Sequence, residues 1–253
     1  MIHRINWLKY ASPQAFYPVA GKLIPWFGAT AIILLIVGMI IGFLIAPTDH
    51  QQGDAYRIIF VHVPAAWLSM LIYLALAFWA ALGLILNTRL SSMMARALAP
   101  TGAIFTFLAL WTGALWGRPT WGAWWVWDAR LTSELILLFL YIGFMALQAS
   151  IDDPRRADRA GAVLALVGVV NVPVIYFSVQ WWNTLHQGLS INFRSAPSMA
   201  ATMLLGMLIM ALGLWAYSIA AGLMRLRCIV LERERHSDWV AEIGEVKLSK
   251  VKS

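Results

Sequence analysis

Six runs of about twenty or more mainly apolar residues follow one another along the chain, the length needed to cross a bilayer as a helix. They cover residues 25–46, 58–86, 97–116, 132–150, 161–181 and 198–224. No charge falls between Lys22 and Asp49, and between Arg57 and Arg89 the only titratable side chains are His62 and a tyrosine. The pattern predicts an all-α polytopic membrane protein: six transmembrane helices in one membrane domain covering 1–253, with a tail from 225 to 253. Glu232, Arg233, Glu234 and Arg235 mark the start of that tail as a short charged helical extension. The leader holds Arg4, Lys9 and Lys22 without a small-residue cleavage pattern behind a short apolar core, so the first run is expected to be a retained helix and not a signal peptide.

The polar segments between the runs set the orientation. Fifteen of the 19 Lys and Arg residues fall in the N-terminal tail, residues 87–96, residues 151–160 and the C-terminal tail. Only Arg57, Arg118, Arg130 and Arg194 fall on the other side. The positive-inside rule then places both termini in the cytoplasm and leaves 47–57, 117–131 and 182–197 outside. Composition agrees with lipid as part of the solvent, at 61% hydrophobic and 12% charged residues with a mean hydropathy of +0.72. The net charge of +7 is scattered through tails and loops and forms no single face, which argues against nucleic acid as a partner. Cys228 is the lone cysteine, so the chain has neither an internal disulfide nor a CxxC pair.

One external segment is unlike an ordinary membrane turn. Trp116, Trp121, Trp124, Trp125 and Trp127 lie within twelve residues, closed by Asp128 and Arg130. Indoles settle at the headgroup level, so this tryptophan-rich external loop reads as a flat aromatic shelf suited to a planar apolar ligand. Two histidines reach the same leaflet: His62, about 7–8 Å along the second span at 1.5 Å per residue, and His186 in the third external loop. An ionisable residue in a span needs a partner or a function, and for His62 a bond to a neighbouring carbonyl is the plain alternative. Two imidazoles on opposite faces of a macrocycle can fill both axial positions of haem iron, with the tryptophans as its platform and Arg57, Arg118 and Arg130 as partners for its propionates. Arg130 can equally pair with Asp128 and Glu134, and Asp128 fits a plain helix cap. Pro64 and Pro173, the latter beside Asn171, are expected to kink their helices. No phosphate-binding Gly-rich loop, HExxH or Ser/His/Asp set is present.

The string Trp116-Gly117-Arg118-Pro119-Thr120-Trp121-Gly122-Ala123-Trp124-Trp125-Val126-Trp127-Asp128-Ala129-Arg130-Leu131-Thr132-Ser133-Glu134 closely resembles the tryptophan-rich WWD signature of bacterial haem-handling proteins. With about 250 residues, six spans, Val61-His62-Val63-Pro64-Ala65-Ala66-Trp67 and His186, the chain is similar throughout to the heme exporter protein C (CcmC) family of cytochrome c maturation. The resemblance implies a haem chaperone of the bacterial inner membrane and not an enzyme. His62 and His186 would be axial ligands to non-covalent haem b above the tryptophan platform. The haem would pass to a periplasmic haem chaperone (CcmE-like), in an assembly with an ABC membrane subunit and ATPase (CcmB- and CcmA-like) and a small single-span subunit (CcmD-like). Whether the chain promotes covalent attachment of haem to its partner stays open. Two rival readings are a b-type electron-transfer subunit and a transporter or transferase of lipid-linked glycans.

Overall fold

The computed structural model describes residues 10–186 and 199–243. Arg194, counted above among the external cations, lies outside them, as do the far N- and C-terminal residues with Arg4 and Lys9. The described chain is all-α. Its helices are α1 (Pro13–Ile40), α2 (Ile59–Leu86), α3 (Arg89–Trp121), α4 (Ala129–Ser150), α5 (Pro154–Gly168), α6 (Asn171–Trp181) and α7 (Ala201–Arg233). Together they supply six segments long and apolar enough to span a membrane, α5 and α6 sharing one of them.

The boundaries differ from the hydropathy reading in instructive ways. The first span begins at Pro13 and not near residue 25: Ser12 caps it through Ala15 N, Pro13 sits at the first helical position, and the helix runs on through Pro18, Lys22 and Pro25. Proline at the first turn removes only an N–H that was unpaired anyway, and membrane helices tolerate internal prolines. A π-turn, Ile41–Ile45, closes this span. Helix α3 extends past 97–116 in both directions, so Trp121 is helical like Trp116 and the irregular tryptophan segment shrinks to Gly122–Asp128. Gly122, at φ 79°, ends α3 in the left-handed conformation that glycine adopts freely.

Helix α2 continues unbroken through Pro64. The fifth span, by contrast, is interrupted at Val169–Val170. Pro173 has no N–H to give the carbonyl of Val169, and Val172 N bonds that carbonyl instead, at 3.1 Å. Asn171, freed at the break, donates from Nδ2 to Ser133 O of α4 at 2.9 Å. Helix α7 runs beyond residue 224 to Arg233. There the tail turns back onto α1, with Trp239 against Tyr17 at 5.8 Å and Arg227 over the same ring at 4.2 Å.

Helix α2 packs along α3 and α1 along α7. α7 joins the two pairs through both α2 and α3, while α4 lies against α3, α5 and α6. Lipid offers no hydrophobic drive between helices, so close packing and internal hydrogen bonds have to hold the bundle. Gly38 supplies the first, since a β-carbon there would run into Met210 of α7. The second is centred on Ser69, whose Oγ donates to Glu134 Oε1 at 2.7 Å and whose carbonyl accepts from Tyr141 Oη at 2.8 Å, joining α2 to α4. Tyr73, Leu76, Leu137 and Tyr141 are fully buried around this link.

Gly102 of α3 lets that core close, because a β-carbon there would overlap the Tyr141 ring. Gly102→Ala is therefore expected to cost about 1–3 kcal/mol, as overpacking does, read as a lowered unfolding midpoint in detergent. Gly28→Ala, in open space on α1, should leave the midpoint unchanged or slightly raised. Equal midpoints for the two variants would show that α3 and α4 do not meet there.

Candidate functional site

The site begins with how α2 starts. Arg57 fastens it to the end of the first span, pairing through Nε with Asp54 at 2.9 Å and donating from Nη1 to Gly42 O at 2.6 Å. A longer contact joins Nη2 to Ala46 O at 3.4 Å. This guanidinium satisfies carbonyls that the π-turn exposes, and its bonds hold it against that turn. His62, in the first turn of α2, is 9% exposed. Its Nδ1 lies 3.0 Å from Thr112 Oγ1 on α3. The threonine hydroxyl donates to Leu108 O, so it accepts from His62 Nδ1–H, and the network assigns the tautomer whose Nε2 carries the free lone pair. One turn further along α3, Trp116 stands edge-on to the His62 ring at 5.6 Å and 79°, its Nε1–H held by Gln52 Oε1 at 2.7 Å.

His186 arrives from the other direction, five residues beyond α6. Its ring centre lies 5.1 Å from Trp121 and 6.3 Å from His62. Its Nδ1 is buried without a hydrogen-bond partner among the described residues. The structure thus brings together His62, His186, Trp116 and Trp121. The remaining tryptophans do not make a flat shelf: Trp125 and Trp127 meet edge-on at 77°, and Trp127 is 76% exposed. Trp124 also faces outward. Trp125 Nε1 is buried and unpartnered among the described residues.

Asp128 does act as the cap of α4, accepting from Leu131 N at 2.8 Å through Oδ1, while its Oδ2 is buried without a partner among the described residues. Arg130 is not ion-paired with Asp128 or Glu134. It donates to Ile175 O of α6 at 2.8 Å, and Glu134 takes the Ser69 hydroxyl instead. Arg118 is exposed and bonds Gly122 O at 2.7 Å, beside the tryptophan turn. Thr112 and Gln52 are the two positioning residues that sequence reasoning missed. Thr112 is one hydroxyl in an apolar run, and only its four-residue spacing from Trp116 hinted that both face the same way.

Chemically, two neutral imidazoles at this separation can share one metal ion. A metal–imidazole bond is about 2 Å and a ring centre lies about 1 Å behind its nitrogen, so two rings on one ion stand roughly 6 Å apart. Among the described residues no group of three or more His, Cys, Asp or Glu gathers. Two protein donors suit an ion that brings its own equatorial ligands.

The heme exporter protein C (CcmC) family profile matches residues 6–241. The chain belongs to this family. It is 48% identical over 233 residues to heme exporter protein C of Escherichia coli (strain K12), covering 92% of this chain and 94% of that one. It is 43% identical over 241 residues to heme exporter protein C of Haemophilus influenzae, covering 95% and 98%. A ccmC-like mitochondrial protein of Marchantia polymorpha, with a putative role in cytochrome c biosynthesis, is 49% identical over 148 residues, 58% of this chain and 62% of its own length. Family membership identifies a multi-pass haem-handling membrane component of cytochrome c biogenesis.

In this chain, burial and then the Arg130 charge bring the pKa of His186 down from 6.5 to about 4. Its neutral burial costs nothing above pH 6.5 and becomes destabilising as pH falls from 6.5 towards 4, where the unfolded chain protonates first. We expect the His186 ring resonance of haem-free protein to titrate with a midpoint near 4, and Arg130→Gln to move it upward. A midpoint unmoved in that variant would separate the guanidinium from the histidine.

Proposed function

We propose that this protein binds haem non-covalently at the periplasmic face of the inner membrane and delivers it to a periplasmic haem chaperone during c-type cytochrome biogenesis. His62 and His186 are the axial ligands. One observation carries this reading: the two ring centres stand 6.3 Å apart while His62 Nδ1 is occupied by Thr112, which turns the other nitrogen's lone pair to a ligand's service. Trp116 and Trp121 bound the ring pair, and Trp124, Trp125, Trp127 and Asp128, which form no flat shelf on their own, stand on the solvent side as the edge of the platform that the haem and its receiver meet. Arg118 and Arg130 are the propionate partners, and Arg57 a more distant one, given its bonds to the π-turn.

The protein acts as a carrier and not as an enzyme. A bis-histidine site fills the coordination sphere and leaves no position for oxygen chemistry, so the haem is cargo. The positive-inside distribution supports cytoplasmic termini, with this site on the opposite face. The partners are the periplasmic haem chaperone, an ABC membrane subunit with its ATPase, and a small single-span subunit. His186 stands on the loop after α6 and not inside a span, a placement that favours handing haem on over holding it permanently for electron transfer.

His62→Ala and His186→Ala should each strip most of the haem from purified protein while leaving membrane insertion intact, and added imidazole should restore part of it. Thr112→Val should lower haem affinity about 10-fold or more, as loss of an outer-shell bond does, without removing either ligand. Unchanged haem content and spectrum in both histidine variants would overturn the ligand assignment. Delivery is separable from capture: a Trp124→Ala/Trp125→Ala/Asp128→Ala triple variant should load less covalent haem onto the partner chaperone even where haem remains bound. Normal partner loading by that variant would refute a transfer role for the platform.

A further inference from the structure

About 30 Å from His62 along α2, where α2 ends and α3 begins, lies a cavity of about 170 Å³ whose lining includes Gly83, Asn87, Arg89, Ser92, Arg155 and Arg159. Its charges are unevenly matched. Arg89 is paired with Glu234 at 2.7 Å, and Asp158, also on the wall, takes both terminal nitrogens of Arg233 at 2.7 and 2.8 Å. Arg155 and Arg159 are exposed and enter no ion pair among the described residues. The cavity therefore carries two uncompensated guanidinium groups, the side chain best shaped to grip phosphate oxygens.

What lies below those arginines selects the kind of phosphate. Arg155, Arg159, Val163 and Val167 recur every four residues on α5, one face of the helix, and both valines are exposed. Leu84 lines the cavity from α2 and, with Ile85 and Leu86 next to it in the chain, exposes apolar surface. A cationic head region thus continues into an apolar stripe along a membrane-crossing helix, the sequence of environments that a phospholipid standing in a leaflet presents in mirror image. A free inorganic anion would use the arginines but gain nothing from the valines.

We propose that this cavity is a binding site for an anionic glycerophospholipid, with Arg155 and Arg159 on the headgroup phosphate and the Val163–Val167 face against an acyl chain. The site is independent of haem binding. The test is native mass spectrometry of the full-length chain in detergent, titrated with phosphatidylglycerol, phosphatidylcholine or inorganic phosphate. Wild type should retain phosphatidylglycerol selectively. Arg155→Gln/Arg159→Gln should weaken that retention about 30-fold, on about fivefold per surface arginine, while Arg155→Lys/Arg159→Lys keeps most of it and shows that the pair is not simply needed for folding. Arg156→Gln, exposed but off the cavity wall, should behave as wild type, and so should His62→Ala. Equal retention of the two lipids overturns the proposal, as does a double glutamine variant that binds like wild type. So does competition by inorganic phosphate at lipid-equivalent concentrations, which would mean an anion site without an acyl component. Loss of lipid selectivity in the co-purified membrane complex overturns it too, because a protein neighbour would then hold the arginines.

Discussion

A buried imidazole in a membrane bundle has to place one nitrogen before it can offer the other, and the bond from His62 Nδ1 to Thr112 does this. Everything at the external end is arranged from that contact. It sets the rotation of α2 against α3, which brings Trp116 edge-on to the ring and aims the remaining nitrogen away from α3. Were His62 free to rotate, proximity to His186 would carry no chemical meaning. The threonine in turn is anchored by Leu108 O, so the orientation of a ligand depends on a side chain bonding its own helix, the habit that usually makes threonine a mild liability in helices.

The second half of the site is fixed by a different device. Helix α6 has eleven residues, too few to be held by helix–helix packing alone. It is fastened to α4 at two points, by Asn171 to Ser133 O and by Arg130 to Ile175 O. Both bonds use backbone carbonyls, which in lipid must find donors. The cation near His186 is therefore also a structural strut. Its double role explains why it does not join the carboxylates beside it in sequence.

Much of this was legible in the chain. The six spans follow from apolar run length, the histidine pair from a residue type that spans seldom hold, and the tryptophan signature from the density of indoles in one short external segment. What hydropathy could not show is where backbone hydrogen bonding continues, because it counts side-chain transfer and not ladder geometry. It therefore stopped the first span short of Pro18 and Lys22, ended the third at Trp116, and read Trp121 as loop. The same scale passed smoothly over Val169–Val170, where all residues are apolar and only the missing N–H of Pro173 marks the interruption. Pro64, identical in kind, gives up a bond to Phe60 O yet leaves α2 continuous, since one lost ladder bond need not end a membrane helix. Thr112 and Gln52 were silent for another reason: a single hydroxyl or amide has no periodicity, and its importance lies wholly in which distant residue it meets.

The interruption at Val169–Val170 has a mechanical meaning. A continuous helix would be a stiff rod linking the two membrane surfaces, and strain applied at one end would arrive at the other. Here the regular α-ladder gives way to one tighter turn near the middle of the span, with Val169 and Val170 still right-handed, α5 standing at the arginine-lined end and α6 leading directly to His186. Asn171 and Arg130 tie α6 to α4 at and just past that turn, so His186 takes its position from α4 and not from α5 alone.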